Sequence, residues 1–206
     1  MAVTPAKENI LKKIRQALSN PVPLPFPHSE GVQSVFKNNE EDPAIVFAEE
    51  FTKLQGRFAF CADDEDLKHQ LQQLIAERGW TKIYFKEDKI AALFNKDSYT
   101  DLANCDIAVT GCEYLVARTG TIVMSTAQQS GRTTSVYAPI HICIAYSKQM
   151  VFDMKEVLYF LKEKYSAAMP SLITFASGPS RTADIEKTLV TGVHGPKEVY
   201  CFLVEE

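Results

Sequence analysis

The chain has 206 residues, 46% of them hydrophobic, enough for one sizeable core and an appendage. A net charge of -4 and a pI near 5.6, with no basic stripe, argue against a general nucleic-acid binder. No apolar run approaches the roughly 20 residues of a membrane span, and the polar, charged residues 1–20 do not read as a signal peptide, so a cytosolic protein is expected.

In chain order, Ile10, Leu11, Ile14, Ala17 and Leu18 form one apolar face at helical spacing. Prolines at 21, 23, 25 and 27 then exclude a helix and predict an extended linker to about residue 42. Residues 1–42 are thus expected to be a helical arm and linker, and residues 43–206 the main domain. Residues 44–54 look helical and 57–62 form a strand. Asp63 or Asp64 caps a helix carrying Leu67, Leu71, Leu74 and Ile75, which Gly79 ends. Residues 82–86 read as a strand, 88–95 as a helix and 106–110 as a strand. This alternation predicts an α/β fold with an open, mostly parallel sheet and helices on both faces. Strand-like runs at 114–117, 121–124 and 141–145, with a turn at Thr119-Gly120, break the rhythm and predict a small β-rich insertion or antiparallel edge. A helix with Val157, Leu158, Leu161 and Tyr165 on one side follows. A last β-α-β unit is expected between the apolar runs 172–176 and 199–204.

The polar loop of that last unit is the leading candidate site. Ser177-Gly178-Pro179-Ser180-Arg181-Thr182-Ala183-Asp184 gathers hydroxyls, an arginine and a carboxylate around an expected helix start. Free N–H groups and the helix dipole favour an anion there. Gly178 allows close approach, and the Arg181 fork fits a carboxylate or phosphate. Capping alone explains Ser180, Thr182 and Asp184. In Gly192-Val193-His194-Gly195-Pro196, His194 is a candidate acid or base, or simply a turn histidine. Thr119-Gly120-Thr121 and Arg132 lie in two further hydroxyl-rich loops of the kind that bind ligands in α/β folds. The five cysteines, at 61, 105, 112, 143 and 201, are scattered without a C-x-x-C, so no metal or cluster spacing is present and reduced, buried thiols are expected. Walker A, G-x-G-x-x-G, G-x-S-x-G and H-E-x-x-H sequences do not occur.

The run 177–186, with 192–196 behind it, resembles the C-terminal signature of the LUD-domain family. Thr119-Gly120-Thr121, Arg132 and the Pro139-x-His141 step resemble its middle motif. The resemblance covers most of the chain. It implies a fold similar to the NagB/RpiA/CoA-transferase group, and a part in oxidising L-lactate to pyruvate beside an iron–sulfur subunit and a cysteine-rich-domain subunit. No cofactor is then expected in this chain, and an iron–sulfur cluster is expected in a partner. One departure is Arg118, where the family usually carries an acidic residue. The leading expectation is a lactate-utilisation component with a small-carboxylate site at Gly178, Ser180, Arg181 and Thr182. The alternatives are a non-catalytic assembly subunit and, on fold analogy alone, an independent CoA-transferase- or isomerase-like enzyme.

Overall fold

The computed structural model describes residues 5–19, 41–94, 97–182 and 190–206. The chain forms two units, residues 1–40 and 41–206. In the first, α1 (Pro5–Ser19) leaves Ile10, Leu11 and Ile14 exposed.

The second unit begins with α2 (Pro43–Lys53). Asp42 accepts from the Ala44 N–H at its start, and Pro43 tolerates the missing donor of a first turn. Then come β1 (Arg57–Cys61), α3 (Asp64–Arg78), β2 (Ile83–Tyr84), α4 (Asp88–Ala91) and β3 (Ile107–Thr110). Asp63 caps α3 and Gly79 ends it in the left-handed conformation. Next follow β4 (Tyr114–Val116), β5 (Thr121–Ser125), α5 (Thr134–Tyr137), β6 (Ile140–Tyr146), β7 (Met150–Val151) and α6 (Met154–Tyr165). The last elements are β8 (Ile173–Ala176), β9 (Arg181–Thr182), β10 (Val190–Thr191) and β11 (Glu198–Val204).

Five strands form a wholly parallel sheet in the order β1-β11-β6-β3-β2. Its strands alternate between two apolar layers, as a period of two requires. Ile142, Ile144, Tyr200 and Phe202 pack with Leu67 and Leu71 of α3. Cys143, Ala145, Cys201 and Leu203 face Phe47 and Phe51 of α2 and Leu115 and Ile122 of a second sheet. That sheet runs β7-β4-β5-β8 and is mixed, and α6 covers its far face through Val157 and Leu161. The α/β class, the mostly parallel sheet and the helices on both faces are as the sequence predicts.

Four expectations need correction. The run 141–145 is no insertion: it lies in β6, at the centre of the parallel sheet, and its near-continuous burial is what such a strand needs. The run 172–176 is β8, the edge of the second sheet, so it and β11 do not make a β-α-β unit. Arg181–Thr182 pairs antiparallel with Val190–Thr191, so these residues are strand and not the start of a helix. Asp184 and the rest of the expected helix interior lie outside the described residues. The helix expected over 88–95 is the single turn α4.

Candidate functional site

The sequence-predicted residues fall in separate places. Thr119, Gly120, Thr121, Gly178 and Arg181 gather at the carboxyl end of α2. Thr121 is buried, and its Oγ1 lies 2.7 Å from both Thr119 Oγ1 and Ser177 Oγ. Gly120 has φ +55°, and a Cβ there would sit 2.7 Å from the Glu50 carbonyl carbon and from Phe51 Cα. Gly178 has φ +85°, and its Cβ would sit 2.5 Å from the Leu54 carbonyl oxygen. That carbonyl, just past α2, accepts a hydrogen bond from the Arg181 guanidinium. The Thr-Gly-Thr turn and the Gly178 hairpin therefore clamp α2, and part of Arg181 is spent on that clamp. Ser180 belongs elsewhere: its N–H donates to Pro196 O and its carbonyl accepts from Gly192 N, both at 2.9 Å. Thr182 pairs with Val190. His194 is exposed in a cleft of about 620 Å³ at the amino ends of the parallel strands, lined also by Asn104, Cys105 and Pro139. Arg132 donates to Ser171 Oγ at 2.9 Å. Arg118 is paired with Asp153, the N-cap of α6, at 2.8 Å.

The larger cleft lies at the opposite end of the sheet. It holds about 870 Å³ and is bounded by the residues that follow the parallel strands: Asp64 after β1, Glu87 after β2, Gly111-Cys112-Glu113 after β3, Tyr146 and Lys148 at the end of β6, and Glu206 after β11. The β5–α5 loop, through Gln128 and Gln129, and the end of α6, through Lys164 and Tyr165, complete it. Ligands of open parallel sheets bind outside the carboxyl ends of the strands, and clefts of this volume suit organic ligands.

Glu113 is the buried charge of this cleft, 5% exposed. Its carboxylate accepts from Ser125 Oγ at 2.5 Å, Tyr165 Oη at 2.6 Å and Lys164 Nζ at 2.7 Å. Burial works to raise its pKa, but the bonds from Lys164, Ser125 and Tyr165 outweigh it and hold the carboxyl below its ordinary value. Burial works against the Lys164 charge, yet the Glu113 carboxylate holds that ammonium above its ordinary pKa. Burial, then the bond to Glu113, raises Tyr165 and keeps its proton in place. The cluster is thus a fixed carboxylate, an ammonium and a phenol at neutral pH. Because the Lys164 side chain is 53% exposed, its remaining donors can reach an anion in the cleft. Glu87, on the other wall, accepts from Gly111 N at 2.9 Å and from Ser130 Oγ. The Asp88–Gln129 pair of hydrogen bonds, at 2.9 and 2.8 Å, fastens the β5–α5 loop beside it.

Sequence reasoning singles out none of Glu87, Glu113, Lys164 and Tyr165 as a site residue. A signal for Glu113 exists, since it stands three residues beyond Thr110 at the carboxyl end of an apolar strand, after a glycine. Lys164 and Tyr165 come from a helix 51 and 52 residues away in sequence, and only the fold brings them in.

His141 is a buried member of β6, 1% exposed, with Nε2 2.8 Å from Thr110 Oγ1. Burial alone lowers its pKa to about 4, so it is neutral at physiological pH. All five cysteines are buried and free. Burial pushes Cys61 up to about 11 and raises Cys105. Cys112 is held well above its ordinary value by its contact with Cys143 and by burial. Among the described residues no group of three or more His, Cys, Asp or Glu is arranged to hold a metal ion. No helix among them is long and apolar enough to cross a membrane.

The two sheets and this open face define an α/β protein with a polar cleft at the carboxyl ends of its parallel strands. The sequence model of the LUD domain matches residues 45–204, and the chain belongs to the LUD domain family. Lactate utilization protein C of Anoxybacillus flavithermus is 26% identical over 193 residues, which are 84% of this chain and 86% of that relative. The protein of the same name from Bacillus licheniformis is 30% identical over 146 residues, covering 70% of this chain and 60% of the relative. That from Halalkalibacterium halodurans is 39% identical over 103 residues, 49% of this chain and 44% of the relative. The crystal structure of a DUF162 family protein from Deinococcus radiodurans superimposes with a TM-score of 0.60 at 18% identity, over 80% of this chain and 99% of that one, a likeness of fold.

Proposed function

We propose that this chain is a component of lactate utilisation and that its ligand face is the carboxyl-end cleft. The name shared by its relatives supports the first part. The second rests on one observation: a buried, ionised Glu113 holds the Lys164 ammonium where a carboxylate such as lactate or pyruvate can meet it. Oxidising lactate to pyruvate removes a hydride equivalent and a proton, so an electron acceptor is required. We assign the acceptor to partner subunits carrying iron–sulfur and cysteine-rich domains.

Calorimetric titration of the purified chain with L-lactate and pyruvate tests the site. Lys164→Met should abolish the heat of binding, and Arg181→Ala should leave it intact. The reverse pattern would move the site to the Gly178 hairpin. The role is tested in a strain lacking the gene. Growth on L-lactate should fail, return with the wild-type gene and stay impaired with Glu113→Gln. Undiminished growth of the deletion strain would remove the functional reading.

A further inference from the structure

The second sheet ends on an open edge. β8 pairs with β5 on one side, and the bond from Thr126 N to Leu172 O at 3.1 Å extends that ladder. The register therefore commits the backbone groups of Leu172, Thr174 and Ala176 to β5 and turns those of Ile173 and Phe175 outward. Among the described residues no hydrogen bond reaches these outward groups. Such an edge is a template for another strand, and monomeric proteins blunt it with charge, proline or a bulge. Residues 171–177, Ser-Leu-Ile-Thr-Phe-Ala-Ser, contain no charge and no proline. The edge of the parallel sheet is treated differently: β1 carries Arg57, and Gln70 Nε2 caps the Phe60 carbonyl at 3.0 Å.

The β8 edge is also complementary to itself. Two copies pairing antiparallel about a two-fold axis at Thr174 place the outward groups of Ile173 against those of Phe175 in the second copy, and the reverse. Phe175 then meets Ile173 on one face, and Thr174 meets Thr174 on the other. Aromatic–β-branched and Thr–Thr pairs are favourable across strands, and no like charges come opposite. Phe175 is 37% exposed, and Met169 and Leu172 beside it are 45% and 40% exposed, so apolar surface is available to bury. We propose that the chain forms a two-fold dimer through β8, joining two four-stranded sheets into one continuous sheet. The contact stands apart from the function proposed above, since none of the cleft residues belongs to β8. A four-residue ladder with these flanking side chains falls short of the roughly 800 Å² per partner of a standard interface, so the dimer is expected to be weak and concentration-dependent.

Sedimentation velocity of the full chain between about 1 and 100 µM reads this directly. The wild type should shift from monomer to dimer over that range. Phe175→Lys, which puts a charge on an already exposed position, should remain monomeric with an unchanged melting temperature. Thr174→Cys gives an independent readout that keeps the native edge. Directly opposed, non-hydrogen-bonded positions lie within disulfide reach, so mild oxidation should yield a covalent dimer. Ser171→Cys, far from the axis, should not cross-link. A wild type that stays monomeric at the highest concentration overturns the proposal. So does a dimer that survives Phe175→Lys and gives no Thr174→Cys cross-link.

Discussion

Gly120 sets the clamp on α2, and replacing it with alanine isolates what that clamp contributes. Gly79 provides the reference. Both are left-handed, at φ +55° and +66°, but a Cβ at Gly79 would have nothing within 4 Å, whereas one at Gly120 would press on the backbone of Glu50 and Phe51 at 2.7 Å. Gly79→Ala should therefore cost only the conformational strain, about 1 kcal/mol. Gly120→Ala carries the same strain and also forces α2 outward, because no side-chain rotation relieves a clash with backbone. That shift disturbs Phe47 and Phe51, both fully buried. Overpacking of this kind adds about 1–3 kcal/mol, for a total near 2–4 kcal/mol. For a domain of this size the loss corresponds to a melting temperature lower by roughly 5–15 °C. Equilibrium urea unfolding of both variants, without ligand, measures the difference. If Gly120→Ala costs no more than Gly79→Ala, the Thr119-Gly120-Thr121 turn is not a packing element and its ligand-binding reading regains force.

Lowering the pH should expose His141. Its folded pKa, about 4, lies below the unfolded value near 6.5, so the unfolded chain binds the proton more readily. Stability is full above pH 6.5 and is lost as pH falls toward 4, by about 3 kcal/mol. His141→Gln should flatten that part of the stability–pH curve, and an unchanged curve would remove His141 as its cause. Glu113→Gln should cost about 2 kcal/mol at pH 7, by weakening charge-assisted bonds to Lys164 and Tyr165. Because the Glu113 pKa is lowered from 4.5, the gap to wild type should close as the pH falls through that lowered pKa; a gap constant down to acid unfolding would contradict the assignment. Arg181→Ala should cost about 1 kcal/mol in the same assay, the worth of one bond to a neutral carbonyl. Finally, the five buried thiols should resist a thiol reagent such as Ellman's in the native protein and react in denaturant; rapid native labelling would argue against their burial.

The alternation of helix and strand up to Thr110 was legible because each element carries its own period and punctuation, as Asp63 and Gly79 do around α3. Sheet membership was not. β6 and β8 are both short apolar runs in the sequence, yet one lies at the centre of the parallel sheet and the other at the edge of the mixed one. Which sheet receives a strand depends on partners far away in sequence, and local pattern does not encode them. The expected helix start at Ser180 misled for a related reason. Gly, Ser, Arg and Thr suit a capped helix and a polar loop leading into a strand alike, and here Arg181 and Thr182 pair with β10. The Glu113 cluster stayed hidden because its partners come from β5 and from the end of α6.

The position of β11 bears on how the chain must be made. It lies between β1 and β6, so β1 stays detached from the three strands β6-β3-β2 until residues 198–204 are in place. Every other strand of that sheet leaves the ribosome earlier, with β1 separated from its nearest neighbour and both exposing apolar flanks. The main sheet consequently closes only after residues 198–204 have been synthesised, and loss of these residues would leave β1 unpaired and β6 as an exposed, aggregation-prone edge of a three-stranded sheet.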